Sequence, residues 1–283
     1  MLTRKPVAGL NKRDMIAPKH IKPRGVLQFS AAESTTEQHW RYWPSADLAP
    51  FVEHYWTIEW NLREAQLRGT LPHPSVHIIF ESGLAQLAGV FTQKFTRTLQ
   101  GTGRVFSVKF RPGGFRPFVA SPIHVFSNRV LMLQDVFGDT VQGFADRVLA
   151  HADHRAAIEV IESCLRGCKP QPAAAVDLAA RIAERIAGDR AITKTEQIVA
   201  EFDIGARKLQ RLFSEYVGVS PKWVIQRYRL HEAIERIAAG MDIDWVSTAL
   251  DLGYADQPHF IRDFKKLVGK SPADYLRTAT QAR

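Results

Sequence analysis

The first half of the chain contains three segments in which apolar and polar residues alternate. The apolar positions are Trp56, Ile58 and Trp60, then Val76, Ile78 and Phe80, then Phe106, Val108 and Phe110. In the first segment, Thr57 and Glu59 fill the polar positions. Because a period of two puts successive residues on opposite faces of a strand, the pattern predicts half-buried β-strands. Proline and glycine clusters separate the segments, so we predict a compact β-rich domain that extends to about Pro122.

Apolar residues then recur with helical spacing. They are Val141, Phe144, Ala145, Val148 and Leu149 in one segment and Ala157, Ile158, Ile161 and Leu165 in the next. We expect these helices to close the β-rich domain or to form a dimer contact. Residues 167–175 follow and include Pro170 and Pro172, which interrupt helical hydrogen bonding. This stretch is therefore predicted to link two domains.

These patterns divide a chain whose 283 residues exceed the usual size of one hydrophobic core. The predicted parts are a flexible basic arm at 1–38, a β-rich regulatory domain at 39–166 that ends in helices, the linker at 167–175, and a helical domain at 176–283. The arm is assigned from its polar, proline-dotted sequence, which lacks apolar periodicity. The predicted fold class is therefore α+β.

The helical domain contains an internal repeat. Residues 209–221 read LQRLFSEYVGVSP, and residues 260–272 read FIRDFKKLVGKSP, at an offset of 51 residues. In this alignment Arg211 matches Arg262, and the glycine and the Ser-Pro pair of each copy coincide. The repeat predicts two consecutive copies of one supersecondary unit.

The first copy predicts a helix, a turn and a second helix. Thr193 and Glu196 have capping-box spacing for the start of the first helix, and residues 203–205 end it. The second helix is predicted to bury Leu209, Leu212, Phe213 and Tyr216 and to turn outward Arg207, Lys208, Gln210, Arg211 and Ser214. Gly218 suits a left-handed cap at its end. The outward face is therefore basic and rich in hydrogen-bonding groups.

The second copy repeats this arrangement. Asp244 and Asp256 are positioned to cap its two helices, and Gly253 ends the first of them. The second helix is predicted to bury Phe260, Phe264 and Leu267 and to turn outward Gln257, His259, Arg262, Lys265 and Lys266. Between the copies, residues 221–239 predict one long helix that holds the two units at a fixed spacing.

The run GYADQPHFIRDFKKLVGKSPADYLR resembles the signature of the AraC/XylS family of transcription regulators, and the resemblance covers Val176 to Arg277. It implies a double helix-turn-helix domain whose second helices enter successive major grooves on one face of DNA. The family's base-reading or phosphate-touching positions fall on Arg207, Gln210 and Arg211, and on Gln257, His259 and Arg262. Pro258 departs from the family pattern, which has a polar residue there, so one contact is lost.

The residue types support this interpretation independently of the family. Arg can bond guanine O6 and N7 together, and Gln can pair with adenine. The predicted DNA-binding residues are Arg207, Lys208, Gln210, Arg211, Gln257, His259, Arg262, Lys265 and Lys266. The alternative is that these side chains only face solvent, as charged outer faces of helices commonly do. Two matched copies favour DNA binding, and two helices one duplex turn apart could read a bipartite site.

The net charge of +9 also favours a polyanionic partner. Much of the excess lies in the first forty residues, which could touch DNA or only be solvated. The predicted partner is double-stranded DNA, and RNA polymerase, a small-molecule effector and a second copy of the chain are further candidates. The sequence shows no signal peptide and no apolar run long enough to cross a bilayer, so we expect a cytoplasmic location.

The front domain resembles a poorly characterised domain found ahead of such modules, in the stretches VEHYWTIEW, LPHPSVHIIFESG and KFRPGGFRPF. His73, His77 and Glu81 recur every four residues and suggest a metal site, but we predict turn and strand residues instead, since convergent ligands need supporting partners. Arg111 and Arg116 flank glycines that could bind an anion. For these we predict a tight turn before a helix.

The aromatic residues of the front domain have two open interpretations. Trp40, Tyr42, Trp43, Tyr55, Trp56 and Trp60 could form its core or line an effector pocket. The two cysteines, Cys164 and Cys168, are too few for a zinc site and are predicted to be reduced thiols. The sequence predicts no cofactor.

Two other classes of function compete with a DNA-binding regulator. DNA-repair regulators that share this type of C-terminal unit are enzymes with reactive cysteines, but Cys164 and Cys168 lack neighbours that would lower a thiol pKa. We therefore predict no catalytic residue and no enzyme. The second competitor is an interaction protein whose helical units bind protein. A steep dependence of binding on salt would distinguish DNA from such a partner.

Overall fold

A computed structural model of the chain describes residues 26–28, 37–238 and 244–281. The strands are β1 Val26–Gln28, β2 Glu37–Tyr42, β3 Val52–Thr70, β4 His77–Glu81, β5 Leu84–Ala88, β6 Phe95–Phe110 and β7 Val130–Met132. The helices are α1 Leu133–Phe137, α2 Phe144–Leu149, α3 His154–Gly167, α4 Ala174–Gly188, α5 Thr195–Glu201, α6 Ala206–Leu212, α7 Pro221–Ala238, α8 Trp245–Asp251, α9 Gln257–Val268 and α10 Pro272–Gln281. The front half is an antiparallel sheet and the back half is helical, which confirms the α+β class.

Seven strands form one antiparallel sheet in the order β1-β3-β6-β4-β5-β7, with β2 also paired to β3. The long strands β3 and β6 are its spine, and their register opposes Tyr55 with Val108 and Thr70 with Phe95. Irregularities at Val52/His54 and Leu62/Gln66 bend this pair. The β-structure continues past Pro122, where we expected it to end, because β7 pairs with β5.

The predicted alternation in β3 has the right period, but its more buried face is the other one. Thr57 is fully buried and donates its hydroxyl to the carbonyl of Val105 over 2.8 Å. Trp56 and Ile58 point to the opposite face, where they are half-buried beside a small apolar cluster around Trp60. The helices that come after the sheet cover the face with Thr57, so that face is the main core.

Those helices close the sheet as predicted. The ring of Phe144 in α2 lies edge-on to that of Phe80 in β4, with centroids 5.0 Å apart. In α3 the buried carboxylate of Glu162 accepts the backbone N–H of Ser45 over 2.9 Å and the hydroxyl of Tyr55 over 3.2 Å. The carboxylate is thereby hydrogen-bonded, as burial of a charge requires. A dimer contact by these helices stays a prediction.

Part of the predicted flexible arm is a strand. Residues 26–28 form β1, which pairs with residues 68–70 of β3, and β2 begins at Glu37 inside the same predicted arm. Strand β3 extends beyond the part that pairs with β2, and the backbone groups along that edge are available to pair with residues 26–28. The rest of the arm, residues 1–25 and 29–36, lies outside the described residues.

The caps of the C-terminal helices follow the sequence prediction with one correction. The carboxylate of Asp244 accepts the N–H of Val246 over 3.0 Å, and that of Asp256 accepts the N–H of His259 over 2.7 Å. At α5, however, the capping box of Thr193 and Glu196 does not form. The side chain of Gln197 accepts the backbone N–H of Thr193 instead, over 2.9 Å. The long connecting helix is described from Pro221 to Ala238, and Ala239 lies outside the described residues.

The hydrophobic core is continuous from the sheet into the first helix-turn-helix unit. Phe110 of the sheet, Ile182 of α4 and Phe213 after α6 belong to one cluster. A second cluster packs Leu71, the residue that follows β3, against Phe260 and other residues of the second unit. The front domain therefore contacts both units, although residues 168–173 between α3 and α4 carry no regular structure.

Candidate DNA interface

The outer face of α6 is built as the repeat predicts. Leu209 and Leu212 point inward and are buried. The outward side chains are exposed, and they are Arg207, Lys208, Gln210 and Arg211. Asp203 adopts φ 46° in the turn before α6, a left-handed conformation that Asp tolerates better than most residues and that ends α5 sharply. This turn fixes the angle at which α6 leaves α5.

The outer face of α9 matches that of α6. Phe260 and Phe264 anchor its inner side and are 0% exposed. On the outer side, Lys265 and Lys266 are exposed, and Gln257 is half-buried. Arg262 is exposed and His259 is half-buried. Pro258 lies in the first turn, where no intrahelical partner exists for the missing N–H, so the helix itself is unaffected.

His259 is held in place at the start of α9. Its Nε2 lies 3.5 Å from a carboxylate oxygen of Asp263, one turn further along. Its ring lies edge-on to that of Tyr254, with centroids 5.2 Å apart. Two contacts on one imidazole restrict its rotamers and leave 38% of the side chain exposed. The histidine is thus presented to solvent from a fixed position.

The basic side chains of these two faces are not neutralised within the described part of the chain. No carboxylate there forms an ion pair with Arg207, Lys208, Arg211, Arg262, Lys265 or Lys266. The neighbouring helix α4 behaves differently, because Arg185 contacts both Asp189 and Glu201 over 2.6 Å. The unpaired cations on the two outer faces contribute a positive potential that attracts a polyanion.

Helix α7 joins the two units rigidly. Val224, near its start, is buried in the core of the first unit, and Leu230, further along, is buried in that of the second. Gln226 also reaches across to Asp263 of α9 over 3.5 Å. Its 18 residues span about 27 Å at 1.5 Å per residue.

Two known families match parts of the chain, one in each half. Residues 198–278 match the family described as a helix-turn-helix domain. The C-terminal region is an AraC-type helix-turn-helix domain. Residues 40–132 match a domain of unknown function (DUF6597). The AraC-type domain is a DNA-binding module of transcription regulators, and the described geometry locates its two outer helix faces.

Several solved structures resemble the chain. The C-terminal domain of AraT, a response regulator from Geobacillus stearothermophilus, is 23% identical, covers 36% of this chain and 84% of its own, and has a TM-score of 0.32. A probable AraC family transcriptional regulator from Rhodopseudomonas palustris CGA009 is 26% identical over 36% of this chain and 97% of its own, with a TM-score of 0.33. ToxT from Vibrio cholerae is 13% identical over 86% of this chain and 99% of its own, with a TM-score of 0.37. Structural similarity at this level supports no conclusion about ligand or activity. No curated protein matches the chain.

The AraC-type domain also receives contacts that the sequence did not reveal. Arg111 and Arg116, which we predicted to flank a tight turn, do flank one, since Gly113 between them has φ 84°. The same two arginines reach the helical domain, where they pair with Glu184 and Glu215 respectively. No local pattern signals such pairs, because the partners are 73 and 99 residues apart.

The predicted turn and strand roles of the front-domain residues hold. His73 lies in the turn before β4, His77 begins β4, and Glu81 ends it in an ion pair with Arg97. Among the described residues no group of three His, Cys, Asp or Glu side chains could hold a metal ion. Of the aromatic residues, Tyr42 and Tyr55 lie in the main core.

Two further sequence expectations concern the cysteines and the possibility of a membrane-spanning helix. Cys164 and Cys168 are free thiols, and burial raises the pKa of each, which lowers the fraction present as the reactive thiolate. Among the helices that the structure describes, none combines the length and the apolar character needed to cross a membrane.

Proposed function

We propose that this chain is a sequence-specific transcription regulator that reads a bipartite DNA site with α6 and α9 in successive major grooves. The observation that carries the proposal is the matched pair of outer faces, each with unpaired cations. An electrostatic surface of this kind releases counterions from phosphates when it binds DNA. The connecting helix α7 supplies a fixed distance between the two faces, which a bipartite site requires.

The side chains divide between reading bases and holding phosphates. Arg211 and Arg262 occupy equivalent positions on the two helices and are proposed to bond guanine. Arg207 and Gln257, at the helix starts, and Gln210, further along α6, are proposed as further base contacts. Lys208, Lys265 and Lys266 are proposed to contact phosphates, which fixes the register of each helix without reading sequence. His259 is proposed as a contact in the second half-site.

The front domain is proposed to modulate this binding. Its support is the contact that this domain makes with both units, through the shared core at the first and through Leu71 at the second. A change of structure in the sheet would be transmitted to the recognition helices through these packed side chains. The proposal is regulatory and assigns no reaction to the chain.

Selection of bound duplexes from a random pool by the full chain tests the proposal. The full chain is the appropriate material because the first unit shares its core with the front domain. The expected result is a motif of two boxes separated by about one helical turn. Repeating the selection with Arg211→Ala and Arg262→Ala should relax one box each and so assign each box to a helix. No enrichment by the full chain would contradict DNA recognition.

A further inference from the structure

The two copies of the repeat end differently. In the first copy the N–H of Gly218 bonds to the carbonyl of Phe213, five residues back, over 2.8 Å. In the second copy the N–H of Gly269 bonds to the carbonyl of Lys265, four residues back, over 2.7 Å. Residues 213–217 are thus a π-helical turn, whereas the equivalent end of α9 is α-helical. Both glycines have a positive φ, so the difference lies in the hydrogen bond that closes each turn.

The front domain contacts the copy that contains the π turn through several side chains. The hydroxyl of Ser127 donates to the carbonyl of Gly218 over 2.6 Å. A guanidinium nitrogen of Arg116 donates to a carboxylate oxygen of Glu215 over 3.4 Å, and the guanidinium lies 5.9 Å from the ring centre of Tyr216. A further contact joins His124 of the front domain to the hydroxyl of Ser214 in the turn, over 3.3 Å.

Steric fit at this junction is close. A Cβ added to Gly218 would lie 2.9 Å from both the Ile123 side chain and the Ser127 hydroxyl. Ile123 is 0% exposed, so it has no room to move away. At Gly269 the neighbour is the far end of the flexible Lys94 side chain. The end of the first recognition helix therefore packs against the buried residue Ile123 and against Ser127, and the end of the second packs against the Lys94 side chain.

The hydrogen bond that closes this turn affects the direction of the side chains of α6, which precedes it. An α-helix has 3.6 residues per turn, so gaining or losing one residue within a turn rotates the preceding segment by about 100°. Phe213 is buried in the core, and so are Leu209 and Leu212 of α6, so a change in the closure of the turn would rotate α6 only as far as repacking of these leucines allows. Arg207, Gln210 and Arg211 would change direction with it.

We infer that Arg116, Ile123 and Ser127 of the front domain are positioning residues for the first recognition helix. They hold the π turn, and through it they set the direction in which α6 presents its side chains to the first half-site. At the end of α9, no pair of described residues like Ile123 and Ser127 packs against the equivalent glycine, Gly269. A signal that alters the front domain at residues 116–127 would therefore change recognition of one box and leave the other. This inference rests on the proposed function of the two helices.

The test uses Ser127→Ala in the full chain, with the selected two-box duplex and versions in which either box is scrambled. Discrimination against a scrambled first box should fall by about two- to tenfold, the usual range for one hydrogen bond. Discrimination against a scrambled second box should be unchanged, which also shows that the variant is folded. Lys94→Ala is the matched control, and it should leave discrimination at the first box as in the natural chain.

A second variant keeps the inference testable if Ser127→Ala does not fold. Glu215→Gln weakens the contact to Arg116 from the helix side and should reduce discrimination at the first box only. Equal losses at both boxes, or no loss at either, would overturn the inference. Failure of the proposed function looks different, because the natural chain would then select no two-box duplex.

Discussion

Arg227 of α7 donates a guanidinium N–H to Nε2 of His73 in the front domain over 2.9 Å, and a second N–H to the carbonyl of Pro72 over 2.5 Å. Arginine can only donate, so Nε2 of His73 must be unprotonated. Arg227 is 2% exposed and His73 is half-buried. Burial and the charge of Arg227 hold the pKa of His73 well below its usual value. The contact between the two domains thus requires a neutral histidine.

This contact predicts a pH dependence of stability. A histidine whose pKa is lowered by folding contributes stability that is complete above its unfolded pKa of about 6.5 and is lost as the pH falls below it. His73→Gln retains an acceptor for Arg227 but cannot be protonated. Its free energy of unfolding should therefore fall less steeply between pH 7 and pH 5, by up to about 1.4 kcal/mol per pH unit. Denaturant unfolding at several pH values measures this, and parallel curves for both proteins would contradict it. Burial also lowers the pKa of His77 to about 3, so some slope should persist in the variant.

Equivalent arginines should have equivalent effects on DNA binding. Arg211→Ala and Arg262→Ala should each weaken binding to the selected site by roughly 1 to 3 kcal/mol, since each removes a proposed bidentate base contact. Arg155→Ala removes an exposed arginine from α3 and is the control with the same charge change. Titration of a labelled duplex gives the three affinities. Equal losses in all three variants would show a general charge effect without base contacts.

The lysines of α9 should affect salt dependence more than specificity. Lys265→Ala should weaken binding by a similar factor for all sequences and lower the slope of log K against log salt by about 1. The reason is that a phosphate contact releases about one counterion. Binding isotherms at four or more salt concentrations measure the slope. An unchanged slope would place Lys265 away from the backbone of DNA.

The cap at α9 should stabilise the second unit. Asp256→Ala removes the acceptor for the N–H of His259 and should lower the free energy of unfolding by about 0.5 to 2 kcal/mol. Asp256→Asn keeps a side-chain acceptor and should retain most of that stability. Thermal or denaturant unfolding distinguishes the two variants. Equal stability of Asp256→Ala and the natural chain would mean that the cap contributes nothing measurable.

Local chemistry explains how much of the structure could be predicted from the sequence. The caps by Asp244 and Asp256 and the burial of Leu209 and Phe260 depend on residues a few positions apart, so patterns in the sequence reveal them. The internal repeat adds a second copy as a check. For the same reason all nine predicted DNA-binding residues lie on two outer faces.

Contacts between distant segments could not be predicted in this way. Ser127 and Gly218 are 91 residues apart, and no periodicity connects them. The more buried face of β3 was also misassigned, because Trp56 is more apolar than Thr57 but only the packing of helices decides which face is covered. The π turn at residues 213–217 has the same apolar periodicity as its α-helical counterpart, so periodicity could not predict the difference between them.

The spacing between the two boxes tests the central claim most directly. The full chain would be titrated with the selected duplex and with a version that has about five extra base pairs between the boxes, half a helical turn. Because α7 fixes the distance and direction between α6 and α9, we expect the affinity to fall to that of a duplex with a single box. Unchanged affinity for the lengthened site would contradict bipartite reading by two rigidly connected helices.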